Sequence, residues 1–237
     1  MNARNQQFQL TVESRQLKEA VSCVFHTLLL HRSVGKFRYK AEGSYSVGVV
    51  GTEDVDCDYV DLTYVRANSP ELTDLLESDV GAFCDAIGSV PQTVVSGRIA
   101  LEFFQKRKRQ WPLPEDVVPW EIWQLQVDVV RVESENEYHR LRDSVGECLG
   151  DAVLTVCGAV NRPLYLPKMP IQSDLSLVFD TRLSDIQPYL FRVVHQLGSG
   201  PGDYHRRMLK PGETLLPGAS EGLSTTVRKL LKDTLSL

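Results

Sequence analysis

No run in this 237-residue sequence approaches the roughly eighteen consecutive apolar residues of a membrane-spanning helix. The first ten residues, MNARNQQFQL, also lack the basic-then-apolar order of a secretory leader, so neither a span nor a leader is expected. Catalytic signatures are equally scarce: the chain has no GxSxG elbow, Walker loop, HExxH pair or kinase-type glycine loop. The five cysteines, Cys23, Cys57, Cys84, Cys148 and Cys157, are odd in number, widely spaced and without a CxxC pair, which points to buried, reduced thiols in a cytoplasmic protein. A net charge of −5 argues against broad binding to nucleic acid or anionic membranes, because such binding gains from counterion release at a basic surface.

Hydrophobic residues make up 42% and charged residues 24%, near the averages for compact globular proteins, so neither disorder nor a fibrous architecture is indicated. Phe8 to Val12 alternates as a short strand. From Gln16 to Arg32, Leu17, Val21, Val24 and Leu28 recur at helical spacing behind a possible Ser14 cap, which predicts an amphipathic helix. Short extended pieces follow to Thr52, and Asp56 to Arg66 reads as one strand carrying Val60, Leu62 and Tyr64. Asp54, Asp56 and Asp58 do not form a calcium loop, since Tyr59 and Val65 stand where the glycine and glutamate would be needed.

A second helix opens at Ser69-Pro70 with the stripe Leu72, Leu76, Val80, Phe83 and Ile87, and Gly88 ends it. Ser89 to Gly97 reads as a loop. Ser134 caps a third, long helix whose stripe is Tyr138, Leu141, Val145, Cys148, Ala152, Val156 and Val160, with Arg162-Pro163 as the stop. Tyr189 to Leu197 is a late strand. Residues 198–222, rich in Gly and Pro, are expected to be a mobile insertion, and Leu223 onward repeats leucines at helical spacing. Three helices with mostly antiparallel strands make the fold class α+β.

The chain is organised around Arg98 to Val132. Ile99, Leu101 and Phe103 share one strand face, and Trp123, Leu125, Val127 and Val129 share another. The connection between the two strands, residues 107–119, is far longer than a usual hairpin loop. It holds Pro112, Pro114 and Pro119, which fix φ and remove backbone donors, and an apolar Trp111 directly after four cations, Lys106 to Arg109, and Gln110. A stiff, protruding finger follows from that composition. The cations discourage edge-to-edge strand pairing; a nucleic-acid-binding role for them is an alternative. A cytosolic enzyme with a site assembled around His26, His31 and Cys57 is another. His26 and His31 are five apart, however, where two metal ligands on one helical face would usually be three or four apart.

The strings LLLHRSVGKFRYKAEGSYSVG, DVDCDYVDLTYVR, LEFFQKRKRQWP, VPWEIW, YLPKMPIQS, VFDTRLSDIQPYLF and RKLLKDTLSL, in this order, closely resemble the autophagy-related protein 101 family. That resemblance implies a single HORMA-type domain over 1–237, with a mostly antiparallel sheet on three main helices. It implies no catalytic activity, no cofactor and no metal. It further implies a scaffold subunit of the Unc-51-like autophagy-initiating kinase complex, in the cytoplasm and at the preautophagosomal structure, that pairs with and stabilises the HORMA domain of autophagy-related protein 13. The family's finger carries Trp-Pro-Phe and recruits downstream autophagy factors. The motif falls here on Trp111, Pro112 and Leu113, with Leu113 replacing the aromatic residue.

Overall fold

The computed structural model describes residues 3–41, 44–91, 94–108, 115–161 and 166–198. Residues 1–199 form one compact unit and residues 200–237 another, and the latter lies wholly outside the described residues. The continuation of the domain past Gly198, the insertion 198–222 apart from Gly198 itself, and the terminal leucine-rich segment are therefore outside the description.

The architecture is α+β and HORMA-type, with three α-helices against a mainly antiparallel sheet among the described residues. Strand β1 (Arg4–Glu13) leads into helix α1 (Leu17–His31). Short strands β2 (Ser33–Gly35), β3 (Phe37–Ala41) and β4 (Ser44–Val47) follow, then the hairpin β5 (Thr52–Asp56) and β6 (Thr63–Ala67). Helix α2 (Pro70–Gly88) precedes the long pair β7 (Val94–Arg107) and β8 (Asp116–Val130). Helix α3 (Glu135–Val160), a 3-10 helix (Gln172–Leu177), β9 (Ile186–Pro188) and β10 (Phe191–Leu197) complete the order.

The central sheet runs β1-β8-β7-β10, with β1 parallel to β8 and the other neighbours antiparallel. Its register puts Leu10 opposite Val127, Ile99 opposite Leu125, and Val193 opposite Leu101. One sheet face thus presents Leu10, Val12, Ile99, Leu101, Phe103, Trp123 and Leu125 to the helices, and all are buried. The other face carries cross-strand polar pairs, Ser96 to Asp128 at 2.5 Å, Arg98 to Gln126 at 3.0 Å and Arg192 to Glu102 at 2.7 Å. The period of two in the sequence is this division of faces.

Helix α2 starts as its residues dictate: Ser69 Oγ accepts from the Leu72 N–H at 3.3 Å, Pro70 occupies the first turn, and the stripe Leu72, Leu76, Val80, Phe83, Ile87 is buried. It lies so close to β7 that a Cβ on Gly97 would stand 2.9 Å from Ile87 Cδ1 and 3.0 Å from the Phe83 ring. Ser134 caps α3 in the same way, accepting from Glu137 N–H at 3.2 Å.

Several expectations are corrected. Ser14 does not cap α1; Gln16 takes that position, and its side chain accepts from the Glu13 N–H at 3.0 Å and donates to the Tyr59 carbonyl at 3.1 Å. Helix α1 is not amphipathic in the structure but buried almost all round, Ser22, His26 and Thr27 included, because α2, α3 and the β5–β6 hairpin cover it from different sides. The single strand expected over Asp56 to Arg66 is two strands joined by residues 57–62, with Val60 turned into the core and the Asp58 and Tyr59 N–H groups donating to the Glu19 carboxylate at 2.9 Å each. In α3 the buried stripe runs through Leu149 rather than Cys148, which is exposed. Among the cysteines only Cys23 is buried. Strand β7 already begins within the stretch read as a loop over Ser89 to Gly97.

Candidate functional site

The two strands reach further than the loop bounds 107–119, since β7 ends at Arg107 and β8 starts at Asp116. Pro119 is therefore inside a strand. It sits opposite Phe104, just beyond a bulge at Trp120, and before Glu121, where β1 begins to pair with β8. Among the described residues that stretch of β8 has β7 on one side only, and the Phe104 N–H turns away to the Leu190 carbonyl at 3.0 Å, so the missing N–H of proline breaks no ladder bond. The bulge turns Trp120 inward, with its ring 5.7 Å from Phe103 and 5.4 Å, edge-on, from Tyr189.

The root of the hairpin is charged and internally paired. Lys106 lies 3.4 Å from Glu115, and Lys108 Nζ is 2.5 Å from Asp174 Oδ1, at the 3-10 helix. Two of the four cations of the basic run are thus matched by carboxylates, which removes much of the positive field a nucleic-acid site would use. Trp111, Pro112 and Leu113 lie outside the described residues. Of the two tryptophans inside them, both belong to the core: Trp120 is 4% exposed and Trp123 is fully buried, stacked on Phe8 at 6.0 Å.

The alternative site around His26, His31 and Cys57 is not drawn together. His26 is buried with its ring stacked on Tyr64 at 6.1 Å, and desolvation, helped by Arg66, pushes its pKa down to about 4. His31 faces α3 instead, with Nε2 3.5 Å from Cys157 Sγ, and burial and Arg32 lower its pKa. Burial, with Glu19, Asp56 and Asp58 nearby, pushes the Cys57 thiol up to about 11, so at neutral pH it is protonated and a poor nucleophile. Among the described residues no group of three or more His, Cys, Asp or Glu is placed to hold a metal ion, and no helix is long and apolar enough to cross a membrane.

One buried constellation escaped the sequence reading. Glu121 of β8 accepts from Arg32 Nε at 2.6 Å and Nη2 at 3.0 Å, while Arg32 Nη2 also donates to the Val160 carbonyl at 3.2 Å. Arg4 of β1 donates to the Ala159 carbonyl at 2.6 Å and stands 3.8 Å from Glu121. Arg32 lies over Trp120 at 5.7 Å and Arg4 over Trp123 at 5.6 Å, so each guanidinium also has a ring beside it. The network joins the ends of α1 and α3 to the sheet directly beneath the finger strands. Its signal was Glu121 in step with Trp123 and Leu125 on the apolar face of β8, though nothing in that alternation names Arg32 as its partner.

The family model described as Autophagy-related protein 101 matches residues 9–173. The chain is 44% identical to Autophagy-related protein 101 of Homo sapiens over 237 residues, covering all of both chains. It is 43% identical to that of Xenopus tropicalis over the same span, and 25% identical to that of Arabidopsis thaliana over 125 residues, 52% of this chain and 51% of that one.

Proposed function

The chain belongs to the autophagy-related protein 101 family, whose part is in autophagy and autophagosome assembly, and from that premise we propose that it is a non-catalytic scaffold subunit of the autophagy-initiation kinase complex. In this reading it pairs with the HORMA domain of autophagy-related protein 13 and stabilises it, and it recruits downstream factors through the finger bearing Trp111, Pro112 and Leu113. The observation that carries the reading is similarity over the whole chain at 44% identity, with no segment of the relative left unmatched. Two features support the finger's part in it. The segment connects the paired ends of β7 and β8, and both tryptophans among the described residues, Trp120 and Trp123, belong to the core.

The test is to mix the purified chain with the HORMA domain of autophagy-related protein 13. A one-to-one complex is expected, melting above either component, since a partner that binds only folded protein stabilises it by mass action. Absence of a complex at micromolar concentration overturns the proposal.

A further inference from the structure

Next to the finger root lies a groove of about 780 Å³ that the scaffold reading does not use. Tyr39 of β3 and Tyr45 of β4 form one wall and the segment Met169 to Ser173 the other. The apolar lining is open to solvent: Tyr45 is 42%, Met169 49% and Ile171 69% exposed. The walls are nevertheless built. Phe37 packs on both tyrosines, at 6.2 Å and 5.4 Å, and on Phe179 of the core at 5.4 Å. Lys36 Nζ donates to the Leu183 carbonyl, and Lys108 holds Asp174 at the far end.

Two properties specify an occupant. First, β4 pairs only with β3 among the described residues, so its other edge offers backbone donors and acceptors to an added strand. Second, the surroundings are basic on an acidic chain. Residues 36–47 and 166–182 hold Lys36, Arg38, Lys40, Lys168 and Arg182 against Glu42, Asp174 and Asp180. Asp174 is engaged by Lys108, and Asp180 by Arg182 at 2.6 Å. The exposed Arg38, Lys40 and Lys168 have no ion-pair partner among the described residues. Arg38 and Lys40 alternate with Tyr39, so they lie on the other face of the β3–β4 pair, toward which alternate side chains of an added strand would point.

We propose that this groove binds an extended, acidic and apolar peptide segment of a partner protein. The segment adds a strand along the edge of β4, seats alternate apolar side chains between the tyrosines and Ile171, and turns its carboxylates toward Arg38, Lys40 and Lys168. Charge disfavours the other occupants. A second copy would bring the same basic rim against itself. The chain's own segment Arg109 to Pro114 follows Arg107 and Lys108 and adds a further cation. Residues 200–237 carry six cations, Arg206, Arg207, Lys210, Arg228, Lys229 and Lys232, against four carboxylates, Asp203, Glu213, Glu221 and Asp233. The proposal does not rest on the finger's role, because the described lining residues, Tyr39, Tyr45 and Met169 to Ser173, are what it is argued from.

The experiment pans random dodecapeptides displayed on phage against the full chain, then measures the enriched peptide by fluorescence anisotropy. Enrichment of alternating apolar residues flanked by Asp or Glu is expected. Ile171→Asp and Tyr45→Ser should each weaken that peptide about tenfold or more, Lys40→Glu should weaken it and flatten its salt dependence, and Leu154→Asp, on the exposed side of α3, should leave it unchanged. Ile171 is largely exposed, so its variant's melting temperature should stay near the parent's, with Tyr45→Phe beside Tyr45→Ser to separate lost packing on Phe37 from lost binding; Ile171→Ala replaces Ile171→Asp if the aspartate lowers stability. Enrichment of basic sequences or of none, or affinity indifferent to the groove variants, overturns the proposal. So does self-association in sedimentation that Ile171→Asp abolishes, which would make a second copy the occupant. Tenfold tighter binding after residues 109–114 are replaced by glycines also overturns it, because the finger would then be the occupant.

Discussion

Glu121 and Arg32 are each nearly or wholly excluded from solvent, and such a pair is sensitive to the loss of one member. Removing one charge leaves the other desolvated without compensation, whereas replacing both with apolar residues of similar volume restores packing without a charge to satisfy. Glu121→Ala should therefore cost about 3–5 kcal/mol in denaturant unfolding, and the double replacement Arg32→Met with Glu121→Met should recover part of that loss, the remainder being the charge of Arg4 left beside the site. His26 makes a separate prediction at the same scale. Its folded pKa of about 4 lies below the ordinary 6.5, so between those values the unfolded chain binds a proton that the folded chain refuses. The contribution of His26 is complete above pH 6.5 and is lost as pH falls through that window, by up to ~3 kcal/mol. His26→Phe keeps a ring against Tyr64 and should flatten the dependence of unfolding free energy on pH between 6.5 and 4, relative to the parent. An unchanged slope would show that the ring is hydrated in solution. His31 shifts in the same direction but is present in both proteins, so the difference isolates His26.

Elements are where local pattern and long-range packing divide the work. Helices α2 and α3 were legible from caps and stripes, because Ser69 and Ser134 satisfy end N–H groups with their own hydroxyls and need no distant partner. Helix α1 was legible as a helix but not as a buried one, since what covers Ser22 and Thr27 comes from three separate elements. The β5–β6 hairpin looks like one strand in the sequence because residues 57–62 carry Val60 and Leu62 at strand-like spacing. Only their contacts with α1, through Glu19 and Gln16, bend them into a loop. Contact between α2 and β7 yields a further prediction. Gly97→Val would drive branched methyls into Ile87 and Phe83, and because α2 would have to lift off the sheet, a loss of about 1–3 kcal/mol is expected by thermal or denaturant unfolding. Unchanged stability would mean that the helix shifts at little cost.

At the scale of the molecule, the proposed scaffold separates a body that must fold from a finger that must remain available. At the ends of β7 and β8 Trp120 packs on both Phe103 and Tyr189, so the described core there has an aromatic cluster of its own, and the proposal gives Trp111 to recruitment. Trp111→Ala should accordingly leave the melting temperature and pairing with the autophagy-related protein 13 HORMA domain nearly unchanged, while downstream recruitment in cells lacking the native copy is lost. A stability loss of about 3–5 kcal/mol would instead identify Trp111 as core. Leu113→Phe restores the larger ring of the family motif and should preserve or strengthen recruitment, because it buries more apolar area in a shared pocket.

Periodicity and capping are encoded within a few residues of chain, and so the sequence by itself determined the three main helices, the two long strands and which side chains of β7 and β8 face the core. It also carried the family, through strings of residues in a shared order. Pairing partners were a different matter. That β1 lies parallel to β8, that Glu121 meets Arg32 across 89 positions, and that Tyr45 and Ile171 border one groove were decided only by the tertiary structure. The physical reason is that a strand's alternation specifies a face but not a neighbour, and a charge's chemistry specifies a partner type but not its address. Both are settled when distant segments compete to bury the same surface.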